Sequence, residues 1–219
     1  MDYATIYPFW DKLTPDEKDD IRQACYTEKY EKGMLMHRAE ENCKGLMSVL
    51  SGQLRTYMLS DEGREVTLYR IYDGEICVLS ASCLMDSIVF PVMIEATEAT
   101  EVLVLPSVCL SRIVKENPYV EAYLYRTATE KFSEVMWTMQ QILFHRIDQR
   151  VAHFLLEEME HQKQTELVIT HDEIARYIGS AREVVTKVLK YFAGEQIVAL
   201  SRGKIRILDA DKLRESASS

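Results

Sequence analysis

Short apolar runs dominate the first half of the chain. "KGMLMHRAEEN", "GLMSVLSGQLRTYMLSDEGREVTLYRIYDGE" and "EATEATEVLVLP" alternate apolar and polar positions over strand-like lengths. Gly33, Gly45, Gly52, Gly63 and Gly74 punctuate them. An amphipathic helix, "TPDEKDDIRQAC", precedes these runs, and the closely spaced strands predict a β-sandwich or barrel over 21–106. The most apolar stretch, "ICVLSASCLMDSIVFPVMI", is interrupted by Asp86, Pro91 and the serines before Pro91. Its pieces have the length of strands, so it is expected to be buried sheet and not a membrane span.

Beyond Pro118 the period changes. Ala128, Phe132, Val135, Met139 and Ile142 recur at 4-3-4-3 spacing on a stretch without Gly or Pro. This predicts one apolar seam on a long helix, as in a two-stranded coiled coil. The alternative is that the seam packs on its own β domain. A helix of about 27 residues would run roughly 40 Å, more than a small β domain covers, so self-association is expected.

A second helix is expected near 147–161, carrying "QRVAHFLLEEM", followed by a short strand, "ELVIT". Then comes "THDEIARYIGSAREVVTKVLKYF". Thr170 and Glu173 have the spacing of a capping box, Gly179 ends the first helix, and Ser180 with Glu183 repeats the S-x-x-E pattern to start the second. At about 100° per residue, Arg182, Glu183, Thr186, Lys187 and Lys190 share one arc of about 140°, with Val185, Val188, Leu189 and Phe192 opposite. Such a helix fits the DNA major groove, where Arg pairs with guanine edges and Glu accepts from cytosine. "GEQIVALSRGKIRILD" adds a hairpin with Arg202, Lys204 and Arg206 at or near its tip, placed to touch the phosphate backbone. Thr170 and Ser180, at the expected helix starts, complete the DNA-facing set with Arg202 and Lys204.

Charge fits this division. Of 26 Lys+Arg and 35 Asp+Glu, 14 and 23 lie in 1–145, whereas 146–219 holds 12 of each. The acidity belongs to the N-terminal part, and its field is screened within about 8–10 Å, so a mildly basic C-terminal unit can approach a polyanion. The five cysteines are widely spaced with no C-x2-C pair, which argues against a zinc ribbon or an iron–sulfur cluster and for a reducing compartment. "MDYATIYPFWDKL" has no basic stretch followed by an apolar one, so a cytoplasmic location without membrane attachment is expected.

These segments together resemble the CRP/FNR superfamily of bacterial transcription regulators. "YEKGMLMHRAEENCKGLMSVLSGQLRTYMLSDEGREVTLYRIYDGE" is similar to its β-roll sensor, "QRVAHFLL" to its entry into the DNA-binding domain, and "IGSAREVVTKVLK" to its recognition helix. The resemblance implies an α+β chain. It would hold a jelly-roll, cyclic-nucleotide-binding-like β-roll over 1–117, a dimerisation helix over 118–146 and a winged helix-turn-helix over 147–219. It also implies a homodimer on a palindromic double-stranded operator, with RNA polymerase as a further partner. Arg182 and Glu183 would read bases. Lys187 stands where the family usually has Arg, and Val184 where a Thr commonly meets phosphate.

Family members that bind cyclic nucleotides hold the phosphate with a Glu and an Arg-Ser pair after the "DGE" turn. Here 71–109 contains no Lys or Arg, so cyclic AMP is not expected. The pocket expected from Cys77, Leu79, Cys83, Met85, Phe90 and Met93, with Val135 and Met136 from the long helix, is soft and apolar. Three readings stay open: an unidentified small apolar or aromatic effector, haem on Cys77, or a thiol switch between Cys77 and Cys83. For haem, the place of the family's nearby His holds Leu79. A cupin-type metalloenzyme would need converging ligands, and His37 is the only His before His145, so no metal site and no catalytic residues are expected. A pure interaction module would leave the basic hairpin unexplained.

Overall fold

A computed structural model describes residues 1–37, 44–84 and 92–218. The chain divides into two compact units, one of residues 1–58 with 68–135 and one of 59–67 with 136–219.

The first unit opens with α1 (Tyr3–Ile6), a 3-10 turn (Trp10–Lys12) and α2 (Pro15–Ala24). Thr14 and Glu17 cap α2 reciprocally, and Pro15 occupies a first-turn position where its missing N–H costs nothing. Strands β1 (Tyr26–Tyr30), β2 (Leu35–His37), β3 (Gly45–Ser51), β4 (Leu54–Leu59), β5 (Glu65–Ile71), β6 (Ile76–Cys77), β7 (Met93–Ala96) and β8 (Thr100–Pro106) follow, then α3 (Ser107–Glu116) and α4 (Pro118–Phe144). They form two four-stranded sheets, ordered β1-β8-β3-β6 and β2-β7-β4-β5.

The first sheet is covered on both faces. Leu46 on β3 pairs with Leu105 on β8, and both point into a cluster with Trp10, Ile21, Leu110 and Val120. Their neighbours Met47 and Val104 also pair, and point the other way into a cluster with Leu54, Ile71 and Ile94. Alternate residues therefore enter different cores, which is why these strands read as continuous apolar runs. Gly45 sits where the two strands close. At φ +129° its backbone disfavours a side chain, and a Cβ there would overlap the Leu105 carbonyl oxygen and lie 2.6 Å from the Ser107 nitrogen.

Two sequence expectations look different in the structure. Within the described part of the apolar run from Ile76, Ile76–Cys77 is sheet, Val78–Leu84 forms 3-10 turns, and Met93–Ala96 is sheet. Ser80 explains part of this, because its hydroxyl donates to the Cys77 carbonyl and accepts from the Met47 N–H, closing a turn where a strand would continue. The long-helix seam also divides. Ala128 packs partly on the first cluster and Val135 partly on the second, and both are half-buried. The exposed apolar row is Phe132, Met136, Met139 and Leu143, at 4-3-4 spacing, with Ile142 half-buried beside it. Ala210–Ser218 also forms a helix, with Leu213 and Ala217 buried.

The second unit contains α5 (Ile147–Gln162), β9 (Glu166–Leu167), α6 (His171–Ile178), α7 (Arg182–Gly194), β10 (Val198–Ser201), β11 (Lys204–Ile207) and α8 (Ala210–Ser218). β9 is shorter than "ELVIT" suggests. One core joins them, built from Val151 and Leu155 of α5, Ile174 of α6, Val185, Leu189 and Phe192 of α7, and Leu213 of α8. The three strands pair in the order β10-β11-β9. Among the described residues no helix is long and apolar enough to cross a membrane.

Candidate nucleic-acid interface

The α6–turn–α7 segment is fixed at both ends of α6. At its start the Thr170 N–H donates to Glu173 at 2.9 Å while the Glu173 N–H donates to Thr170 Oγ1 at 3.2 Å. At its end Gly179 is left-handed, with φ 63° and ψ 49°, and the Ser180 N–H returns 2.8 Å to the Ala175 carbonyl. The last carbonyls of α6 also gain side-chain donors. Arg150 donates to the Ile178 carbonyl, Arg64 to the Gly179 carbonyl, and Thr67 to the Arg176 carbonyl at 3.3 Å. These donors complete a helix end that would otherwise leave acceptors unpaired. Sequence reading missed Arg64 and Thr67 because they lie more than 100 positions before their acceptors.

Ser180 belongs to this C-terminal closure and not to the start of α7. The N-cap of α7 is Ala181, which offers no side-chain cap, and Glu183 is one residue too early to close a capping box on it. The expected Ser180–Glu183 box is therefore absent. Glu183 is left exposed, together with Arg182, Lys187 and Lys190, while Thr186 is half-buried. Val185, Leu189 and Phe192 on the opposite face are fully enclosed. Among the described residues, no protein hydrogen bond or ion pair engages Arg182, Glu183, Lys187, Lys190 or Arg202.

Beside α7 the β10–β11 hairpin turns at Arg202-Gly203, and β9 supports its inner edge through the Leu167–Ile205 pairing. A hollow opens between the hairpin tip and the starts of α6 and α7. Thr170, Arg182, Arg202 and Lys204 all line it, so four sequence-predicted residues converge. Lys204 is not free, however: its Nζ lies 2.7 Å from Glu166, whose second carboxylate oxygen takes Arg206 at 2.7 Å. Hydrogen bonds from Lys204 and then Arg206 hold the Glu166 carboxyl down at about 2. His171 also lines the hollow, with Nδ1 3.0 Å from Thr186 Oγ1. Sequence reading passed over it. The signal available was its place directly after a helix cap that faces the recognition helix.

Within the first unit, Cys77 and Leu79 are buried in the cluster between the sheets, Val135 packs against it and Met93 is half-buried. Met136 belongs to the second unit and is 45% exposed. The Cys83 side chain, Met85 and Phe90 lie outside the described residues. Burial pushes the Cys77 thiol up to about 11, and no part of the residue is exposed. A protonated, enclosed sulfur is not poised for thiol–disulfide exchange. The unit also carries cations from outside 71–109, Arg55 and Lys131 among them. Arg55 is 2% exposed and lies 2.9 Å from Glu95, and Lys131 lies 2.7 Å from Glu134 and over the Tyr69 ring. Tyr69 Oη and Thr56 Oγ1 are buried beside one another, and neither makes a hydrogen bond of good geometry beyond that pairing. Among the described residues, no three His, Cys, Asp or Glu side chains converge as a metal site would require.

Two family models match the chain: a Crp-like helix-turn-helix domain over 149–216 and a cyclic nucleotide-binding domain over 27–117. The transcriptional regulator SdrP of Thermus thermophilus is 31% identical over 179 residues, spanning 78% of this chain and 83% of that protein. The cyclic AMP receptor protein of the same organism is 26% identical over 210 residues, 96% of each chain. The crystal structure of a regulator assigned to the crp/fnr family from Eubacterium rectale superposes with a TM-score of 0.93 at 45% identity, covering 98% of this chain and 99% of that one. With a recognition-type helix turned outward beside a basic hairpin, and likeness along nearly its whole length, the chain belongs to the CRP/FNR family of transcription regulators.

Proposed function

We propose that the protein is a homodimer that reads a two-fold DNA operator with α7, under the control of an uncharged effector held in its β unit. The observation that carries the reading is the α7 face: Arg182, Glu183, Lys187 and Lys190 stand exposed and unengaged beside Arg202. Leaving four charges unpaired on one helix face gains the fold nothing, whereas all four groups can pair with base edges or phosphates. Arg182 and Glu183 read bases, Lys187 and Lys190 meet acceptors along the groove, and Arg202 holds the backbone. The exposed row Phe132, Met136, Met139 and Leu143 supplies the contact between two copies, and the pair of α7 helices then spans two half-sites. Such a regulator acts in the cytoplasm and has RNA polymerase as a partner.

The effector follows from the sensor's charges. Arg55 and Lys131 each already lie beside a carboxylate, so a buried phosphate could take either one only by displacing that pairing. An apolar molecule with one hydrogen-bonding group fits better, because the hydroxyls of Thr56 and Tyr69 have no partner inside beyond each other.

Selection from a random duplex pool with the full-length protein tests the reading. Enrichment of an inverted repeat with half-sites about one helical turn apart is expected. Failure to enrich any sequence would overturn it.

A further inference from the structure

His171 is the first residue of α6, and its ring spans the gap to the second turn of α7, where Nδ1 meets Thr186 Oγ1 at 3.0 Å. The same ring lines the hollow that Arg182, Arg202 and Lys204 surround. No other titratable group near neutral pH is among the residues lining that hollow.

The charges facing this ring are mostly positive. On α7, Arg182 and Lys190 both act on it, and Glu183 stands farther along the exposed face. From the hairpin come Arg202 and Lys204, the latter matched by Glu166. On α6 itself, Asp172 leans toward Arg176 at 3.6 Å, and Glu173 is held by Thr170. Burial first, then Arg182 and Lys190, push the His171 pKa below its ordinary value. Without DNA the ring is therefore neutral at neutral pH, and Nδ1 can either donate to Thr186 or accept from it. The Thr186 hydroxyl is then not committed to either direction.

Building on the DNA-binding reading above, we propose that His171 is a positioning residue that takes up a proton as the duplex seats and thereby orients the Thr186 hydroxyl toward the DNA. A phosphate entering the hollow supplies the missing negative charge. It also offsets the repulsion of the ring by Arg182 and Lys190. An imidazolium has a hydrogen on both nitrogens, so Nδ1 must donate to Thr186 Oγ1. The threonine hydrogen is then released to an acceptor on the duplex. The balance is one proton taken from solvent per half-site, with no bond broken.

The sign follows from linkage. DNA raises the proton affinity of His171 above its free value, so the gain in DNA affinity is fully present at acid pH and is lost as pH rises through the DNA-bound value. One linked proton changes affinity by at most about tenfold per pH unit. Glu166, held at about 2, does not titrate in this range and adds no slope.

The test is fluorescence anisotropy on the full-length protein with the duplex enriched in the selection above and an unrelated duplex of equal length. The pH runs from about 5.5 to 8.5 at fixed ionic strength. Wild type should bind the enriched duplex three- to tenfold more weakly per pH unit over the titrating range, by about the single-proton limit. His171→Gln, which cannot charge, should flatten that profile at whatever affinity it shows. It should also keep the base preference opposite Thr186 that His171→Ala loses, because its amide can still donate. Thr186→Val should retain the pH slope and lose that preference. If wild type binds the duplex with a flat profile, or His171→Gln keeps the slope, the proposal fails while DNA binding stands. If His171→Ala keeps the base preference, the orienting role fails. If no duplex binds at any pH, it is the DNA-binding reading that falls, and this proposal with it.

Discussion

Lys204 Nζ lies 2.7 Å from the carboxylate of Glu166, which β9 carries along the inner edge of the basic hairpin. Arg206 takes the second oxygen of the same carboxylate. One acidic residue thus engages two of the hairpin's three cations, and Arg202 at the turn is the one left open. Lys204 and Arg206 can reach a phosphate only by exchanging it for Glu166.

The first prediction follows from that difference. Arg202→Ala should weaken binding to all duplexes alike and reduce the slope of log affinity against log salt by about one unit. Lys204→Ala should do less, since it removes a cation already paired. Glu166→Gln should tighten unspecific binding and steepen the slope, because it frees both cations. The Glu166 pKa is depressed, so the pairing is present above the ordinary carboxylate range and is lost only as pH falls toward about 2. These effects should therefore be constant from about pH 5 to 8. Equal salt slopes for Arg202→Ala and Lys204→Ala would refute the assignment.

Arg182 tests the reading of bases. It is exposed at the first position of α7 and has no protein partner to lose, so Arg182→Ala should leave the melting temperature nearly unchanged. The same substitution should cost about 1–3 kcal/mol on the enriched duplex and relax base preference at one position in each half-site. Competition between matched and single-substituted duplexes reads this directly. A uniform loss across all sequences would instead make Arg182 a phosphate contact.

The pattern of legibility has a physical basis. Where one periodicity sufficed, the sequence was readable: the Thr170–Glu173 box, the Gly179 stop and the buried stripe Val185, Leu189, Phe192 all rest on local spacing. Local spacing also misled. Ser180 and Glu183 have the letters of a capping box, but closure of α6 on Ala175 uses Ser180 first. Ala128 and Val135 have seam spacing, yet the β unit needs them, and helical periodicity cannot tell a partner copy from the chain's own core. The long-range contacts were invisible, as the Arg64 donation to Gly179 and the Glu166–Arg206 pair show. Charge counting along 71–109 likewise could not foresee that Arg55 and Lys131 are brought in from other elements.

Assembly is tested by contrasting two positions on one helix. Met139 is 45% exposed in the row that the chain leaves uncovered, whereas Ala128 packs on the first core. Met139→Glu should give folded monomers with a far-ultraviolet spectrum like that of wild type, and should lose binding to the two-fold duplex. Ala128→Glu should instead lower the melting temperature, since it forces a charge against buried apolar groups. Sedimentation of Met139→Glu as an unchanged dimer would exclude this row as the interface.

The sensor prediction turns on which buried groups lack partners. Arg55 and Lys131 are committed to carboxylates, so cyclic AMP should not raise the melting temperature even in large excess. A panel of short apolar and aromatic molecules bearing one hydroxyl or carbonyl should contain ligands that do. At a hundred times Kd such a ligand stabilises by about 2.7 kcal/mol, because it binds only the folded protein. Tyr69→Phe separates ligand binding from folding. Its buried hydroxyl has only Thr56 beside it, so removing it should leave the unliganded melting temperature nearly unchanged. The same substitution should cut the shift produced by the polar ligands and spare that of purely apolar ones. Cys25→Ser, in the other core of the β unit, should leave every ligand shift as it is in wild type. Calorimetry showing micromolar cyclic AMP binding would mean that Arg55 or Lys131 leaves its carboxylate for a phosphate, and the uncharged-effector reading would fall.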